Sequence, residues 1–220
     1  MADTQRAYLP AAGHDWTLPL YDPLVKLIGG DAARRVLVEQ AGLQPGHHVL
    51  EIGCGTGTLL MAIARRQPAA HLTGLDPDPK ALARARRKAD AAAVPVRLDR
   101  GFSDTLPYAD ASFDRVFSCF MLHHLGDAAE KVRTLGEIRR VLKPGGELHL
   151  LDFTQPESSG VGALARWLHG HHRLEDNTAT HLLSFMRDAG LAGPALVGRG
   201  SMLFAFGLGY YRAAAPDRVG

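Results

Sequence analysis

Cysteine is scarce in this chain. Two, Cys54 and Cys119, occur among 220 residues. They show neither disulfide nor zinc spacing, which suits a reducing cytoplasm. An excess of one charge is lacking too, because 25 Lys and Arg against 23 Asp and Glu leave a net charge of +2. That balance makes no strong electrostatic claim on nucleic acid or on a membrane surface. Long hydrophobic runs are missing. The longest apolar stretch, Met202 to Tyr211, is broken by two glycines and is too short to span a bilayer. Met1 to Asp15 lacks the apolar core of a signal peptide, and there is no repeat or low-complexity linker. These absences predict one cytoplasmic α/β domain, a monomer or homodimer that neither binds nucleic acid nor inserts into a membrane.

What is present is organised around Val49-Leu50-Glu51-Ile52-Gly53-Cys54-Gly55-Thr56-Gly57. The first four residues read as a buried parallel strand carrying one acid. Leu59, Leu60, Ile63 and Ala64 then fall at helical spacing. Glycine between the two tolerates positive φ and lets a ligand approach the backbone, so amide N–H groups and a positive helix end face outward. A dinucleotide fingerprint would put its third glycine at position 58, where this chain has Thr58. Glu51 has no role toward a pyrophosphate, and it suits a cationic ligand better.

Taken in order, the chain divides into a leading helical or lid segment (1–44), a core (45–154), a second covering segment (155–175) and a closing helix and hairpin (176–220). Asp22-Pro23 reads as an N-cap with proline in the first turn, opening a helix kinked at Gly29-Gly30 that ends near Gly42. His71 to Leu75 is a second strand with Asp76 at its carboxyl end. In a doubly wound sheet that end lines the ligand crevice, where a carboxylate accepts both hydroxyls of a ribose. Capping of the next helix is the competing role for Asp76. That helix carries Lys80, Arg84, Arg86, Arg87 and Lys88, read as its solvated side. Val94 to Asp99 and Arg115 to Cys119 are further strands. A helix then runs from Asp127 to Leu142, Lys143 to Gly146 is a turn, and Glu147 to Phe153 is a fifth strand. His181 to Gly190 is a helix, and Ala195–Arg199 with Ser201–Tyr211 form a hairpin turning at Gly200. His169, His171 and His172 cluster locally, but without cysteine they read as a loop, and no metal site is expected.

Glu51 with the three glycines looks like the first motif of class I S-adenosylmethionine (SAM)-dependent methyltransferases. Gly101 to Tyr108, Ser112-Phe113-Asp114, Leu122-His123-His124-Leu125 and Arg140 to Gly146 extend the likeness. Together they resemble the group that includes the ubiquinone/menaquinone-biosynthesis enzymes, over about Val49 to Phe153. The resemblance implies a Rossmann-like, seven-stranded, mostly parallel sheet with helices on both faces and a C-terminal antiparallel hairpin. It implies methyl transfer from SAM to a small, partly apolar acceptor, leaving S-adenosylhomocysteine. Cofactor roles fall to Glu51, Gly53, Cys54, Gly55, Asp76, Pro77, Phe102, Ser103 and Cys119. Phe102 stands where the group usually has an Asp for the adenine. A stacking ring and the Ser103 backbone N–H would take over there. Cys119 lines the methionine end. His123 or His124 is the nearest base for an acceptor that loses a proton, or else the two cap a helix and fill the wall. Trp16, Tyr21 and Trp167 are candidate acceptor contacts in the covering segments. The alternative is a module that binds SAM without transferring methyl.

Overall fold

The computed structural model describes residues 27, 29–154, 177–202 and 206–217. Helix α1 spans Gly30–Gln40 and is entered through Gly29, whose φ of 98° breaks any helix arriving from before it. Then follow β1 (His48–Ile52), α2 (Thr58–Arg66), β2 (His71–Asp76), α3 (Pro79–Ala91), β3 (Val96–Arg100) and β4 (Phe113–Cys119). A short 3-10 turn, Leu122–His124, leads to α4 (Ala128–Val141), β5 (Leu142–Phe153), α5 (Ala179–Asp188), β6 (Ala192–Met202) and β7 (Phe206–Ala214). The strands form one sheet in the order β3-β2-β1-β4-β5-β7-β6. The first five are parallel, whereas β7 runs antiparallel to both β5 and β6. The chain order reverses between β1 and β4, and such a switch opens a crevice at the strands' carboxyl ends.

Alternating strand side chains divide between two cores. Val49, Phe117, Cys119 and Leu151 meet Leu37 and Val38 of α1 and Leu59, Leu60 and Ile63 of α2 on one face. Leu50, Ile52, Val116, Leu148 and Leu150 meet Leu135 and Ile138 of α4 and Leu182 and Met186 of α5 on the other. Full burial of each such aliphatic side chain contributes about 1.5–3 kcal/mol. Among the described residues, no helix is long and apolar enough to cross a membrane.

The architecture is the expected one, with two boundaries corrected. Lys143 to Gly146 was expected as a turn ahead of the fifth strand, yet β5 already begins at Leu142, which pairs with Phe113 before the register jumps to Arg115 and Glu147. Pro144 and the positive φ of Gly145 (68°) push these residues out as an irregularity inside the strand. The hairpin does not turn at Gly200 either. β6 continues to Met202, which pairs with Phe206. Gly200 is an interior residue of β6, paired with Leu208, and the Tyr210 ring lies beside it. The expected Asp22-Pro23 cap lies outside the described residues.

Candidate functional site

The turn after β1 uses three left-handed glycines, with φ of 63° at Gly53, 49° at Gly55 and 76° at Gly57. A Cβ at Gly53 would collide with Met121, and one at Gly57 would stand 2.9 Å from Ala85 Cβ. At Gly55 a Cβ would meet nothing within 4 Å, so this glycine faces the open side. Cys54 is spent on the turn itself. Its N–H bonds Leu75 O at 3.0 Å, its carbonyl accepts Gly57 N–H at 2.8 Å, and its side chain enters the core.

Asp76 closes the turn from the neighbouring strand. One oxygen accepts Gly55 N–H at 2.8 Å and the other accepts Asp78 N–H at 2.9 Å. Burial pushes its carboxyl up to about 6. The role of capping the next helix falls to Asp78, which accepts Lys80 N–H at 2.8 Å. Pro77 presents its carbonyl to Arg100 Nε at 3.1 Å. Lys88 is not a solvated charge. Its Nζ bonds Thr56 Oγ1 at 3.0 Å and Thr58 Oγ1 at 2.8 Å, bracing the glycine turn from α3. Those two contacts depend on how α3 packs, and helical spacing alone could not show them.

Glu51 is 3 % exposed and its Oε2 has no hydrogen-bond partner. Burial drives its carboxyl well above the usual range, against the opposing field of Arg34. Arg34, from α1, is itself buried and had no sequence signal. Its guanidinium lies 5.7 Å from the Phe120 ring centroid, pairs with Asp31 at 3.5 Å and bonds the Cys119 thiol. Burial raises that thiol to about 12, so Cys119 is a neutral, core-packed group at neutral pH.

The exit of β4 forms the other rim. Phe120 has φ of 56°, a costly value for a side chain of this size, and its N–H bonds Leu151 O at 2.8 Å. The chain then turns so that His123 Nδ1 lies 2.6 Å from Asp152 Oδ1 at the end of β5, with side chains 5 % and 0 % exposed. Asp152 was missed in the sequence, although the strand-end rule that singled out Asp76 applies equally to it. Phe120 stacks on Phe153 with centroids 5.0 Å apart, and His123 meets Phe153 edge-on at 5.1 Å. His124 lies against His123 at 4.1 Å. Asn177 secures this rim by bonding Phe153 O at 3.1 Å and accepting Lys131 Nζ at 3.2 Å.

In the loop after β3, Phe102 is half-buried and its carbonyl accepts Thr105 N–H. Ser103 Oγ lies 3.0 Å from Thr134 Oγ1, which ties this loop to α4. Trp16, Tyr21, Trp167 and the histidines at 169–172 lie outside the described residues. Among the described residues no group of three His, Cys, Asp or Glu side chains could hold a metal.

A family model described as a methyltransferase domain matches residues 49–146. The chain is similar to a demethylmenaquinone methyltransferase of Thermus thermophilus, 36% identical over 67% of this chain and 67% of that protein. It is also similar to the ubiquinone/menaquinone biosynthesis C-methyltransferase UbiE of Paracoccus denitrificans, 32% identical over 61% of this chain and 55% of that one. The chain thus spans about two thirds or less of the length of such relatives. Among solved structures, Haemonchus contortus phosphoethanolamine N-methyltransferase 2 in complex with SAM superposes with a TM-score of 0.78. At 15% identity, over 94% of this chain and 58% of that one, that likeness concerns the fold.

Proposed function

This chain belongs to the SAM-dependent methyltransferases of the ubiquinone/menaquinone type, and we propose that it transfers methyl from SAM to a quinone-type aromatic ring in the reduced, dihydroxy form. The cofactor half of this reading rests on one observation, the buried, partnerless Glu51 oxygen beside the Asp76-bound glycine turn, and the acceptor half is supported by the quinone-type relatives. A buried acid in that state suits a ligand that brings its own cation, and the amino-acid end of SAM carries an ammonium. We assign Glu51 to that ammonium and Arg34 to the carboxylate beside it. Asp76, with lone pairs beyond the two it gives to Gly55 and Asp78, takes the ribose hydroxyls. Gly53 and Gly55 let the ligand reach the backbone, and Pro77, Phe102 and Ser103 border the adenine. Cys54 shapes the turn from beneath.

SAM, when bound, supplies an electrophilic methyl group on a positively charged sulfur. The protein's part is to hold the acceptor in line with it and to keep water out, and alignment alone contributes several kcal/mol. A carbon acceptor must be electron-rich. A quinone ring is poor in electrons and its dihydroxy form is rich, which is why the reduced state is assigned. The stacked Phe120 and Phe153 offer flat apolar surface to such a ring. No observation favours a module that binds SAM without transferring methyl.

The test incubates the purified chain with SAM and a demethylated naphthoquinol kept reduced. Production of S-adenosylhomocysteine and of a ring product heavier by one methylene is expected by mass spectrometry. Tight SAM binding with no S-adenosylhomocysteine from any ring acceptor would sink the acceptor assignment.

A further inference from the structure

We propose that His123 is the base of this site, that Asp152 is its positioning residue, and that the acceptor is one that must give up a proton to be methylated. This rests on the methyl-transfer reading above and supplies the base that reading leaves unassigned. The Asp152 carboxylate accepts from three groups, His123 Nδ1 at 2.6 Å, His123 N–H at 3.1 Å and Phe153 N–H at 2.8 Å. A carboxylate in that position can only accept, so the imidazole carries its proton on Nδ1 and its lone pair on Nε2. The ring is also held by a T-shaped contact with Phe153 and a tilted contact with the His124 ring. A fully buried carboxylate paired with a titratable ring does little for stability compared with two apolar side chains. Its place at the carboxyl ends of β4 and β5, past the strained Phe120, is where the crevice opens. His123 holds the role and not His124, because the carboxylate bonds His123.

The chemistry balances. The proton of an acceptor hydroxyl passes to His123 Nε2 as the oxygen's electrons drive a ring carbon to form its bond with the methyl. The sulfur–methyl bond breaks with its pair on sulfur, which becomes a neutral thioether. The hydrogen on that ring carbon then leaves as a proton, the hydroxyl re-forms and the ring regains aromaticity. One proton is released overall. The imidazolium formed on the way lies against Asp152, which stabilises it.

The experiment compares full-length wild type with His123→Gln, His123→Ala and Asp152→Asn on three acceptors: a reduced naphthoquinol, a simple phenol, and a thiolate that needs no base. SAM affinity by calorimetry should be unchanged in all variants, which also reports that they fold. On the protic acceptors kcat should fall by about 10²–10⁴-fold, with acceptor KM moving only a few-fold. Added imidazole should restore part of the His123→Ala rate and none of the Asp152→Asn loss. Nitrogen NMR of labelled histidine should show His123 protonated on Nδ1 in wild type and on Nε2 in Asp152→Asn. Wild-type silence toward the naphthoquinol with the phenol methylated overturns only the acceptor reading above. Variants as fast as wild type on the protic acceptors, methylation of the thiolate alone, silence toward both protic acceptors, or an Nε2–H ring in wild type each overturns the dyad.

Discussion

Along the rim formed by β1 and β2, hydrogen bonds run from the backbone N–H groups of Gly55 and Asp78 to one carboxylate, Asp76. Along the rim formed by β4 and β5 the decisive bond joins two side chains, His123 and Asp152, from different elements. The first rim joins backbone N–H groups, one of them from a left-handed glycine, to one carboxylate, with Lys88 bracing it from α3. The second depends on packing, since it exists only when β4 and β5 lie in register and Phe120 turns the chain back. On the roles proposed above, the cofactor is assigned to the rim built on main-chain N–H groups and the acceptor to the rim built on a side-chain pair.

The comparison breaks most completely where the two rims touch. Gly53 packs against Met121, and in Gly53→Ala the new Cβ would collide with that side chain while its backbone stays at φ 63°. Strain of about 1–3 kcal/mol is expected, seen as a lower melting temperature. SAM affinity should drop by more than about a hundredfold, and turnover should go with it. Native-like affinity in calorimetry would show that the rims are independent at this point.

A cleaner separation comes from Asp76→Asn. It should weaken SAM by about tenfold or more, equivalent to about 1.4 kcal/mol, while acceptor KM at saturating SAM stays within a few-fold. An acceptor KM that moves as much as the SAM affinity would join the two rims energetically.

The pH dependence sharpens the same contrast. Burial raises Asp76 from its ordinary 3.8 to about 6. In the unliganded protein a raised acid contributes stability below its ordinary value and loses that contribution as pH climbs through about 6. SAM binding runs in the opposite direction, because the ionised carboxylate is the better acceptor for hydroxyl donors. Affinity should therefore fall about tenfold between pH 7 and pH 5. The buried Glu51 adds to the same trend, since its carboxyl also stands above the usual range. Asp76→Asn should flatten the profile measured by calorimetry, and any slope left belongs to Glu51. An identical slope in the variant would remove Asp76 from the cofactor site.

The smallest effect is expected in the loop after β3. Phe102→Ala should weaken SAM a few-fold, equivalent to about 0.5–1 kcal/mol of lost stacking, and Phe102→Asp should be tolerated. No change in SAM affinity for Phe102→Ala would place the ring away from the adenine.

How much was legible depends on how local each interaction is. The glycines were readable because a sharp turn between a strand and a helix requires positive φ at those places, whereas Glu51 and Asp76 were readable as acids that interrupt apolar strand ends. The closing hairpin was readable as well, but not its turn. Gly200 looks like a turn residue until it is seen paired with Leu208 inside β6. Lys88 looked like one charge among five on an exposed helix face, and only the packing of α3 on the glycine turn reveals its two threonine partners.

What the sequence determined by itself was the order of strands and helices, the left-handed turn and the acids at two strand ends. The elements and the turn follow from apolar periodicity and from steric limits on φ, which act over a few residues, and the two acids stand out because they interrupt that periodicity. What only the tertiary structure decided was which distant groups meet: Arg34 with Cys119 and Phe120, and His123 with Asp152. Those meetings are set by sheet order, by strand register and by the volume of the core. None of these is a property of any short stretch of chain, because each depends on how all the elements pack at once.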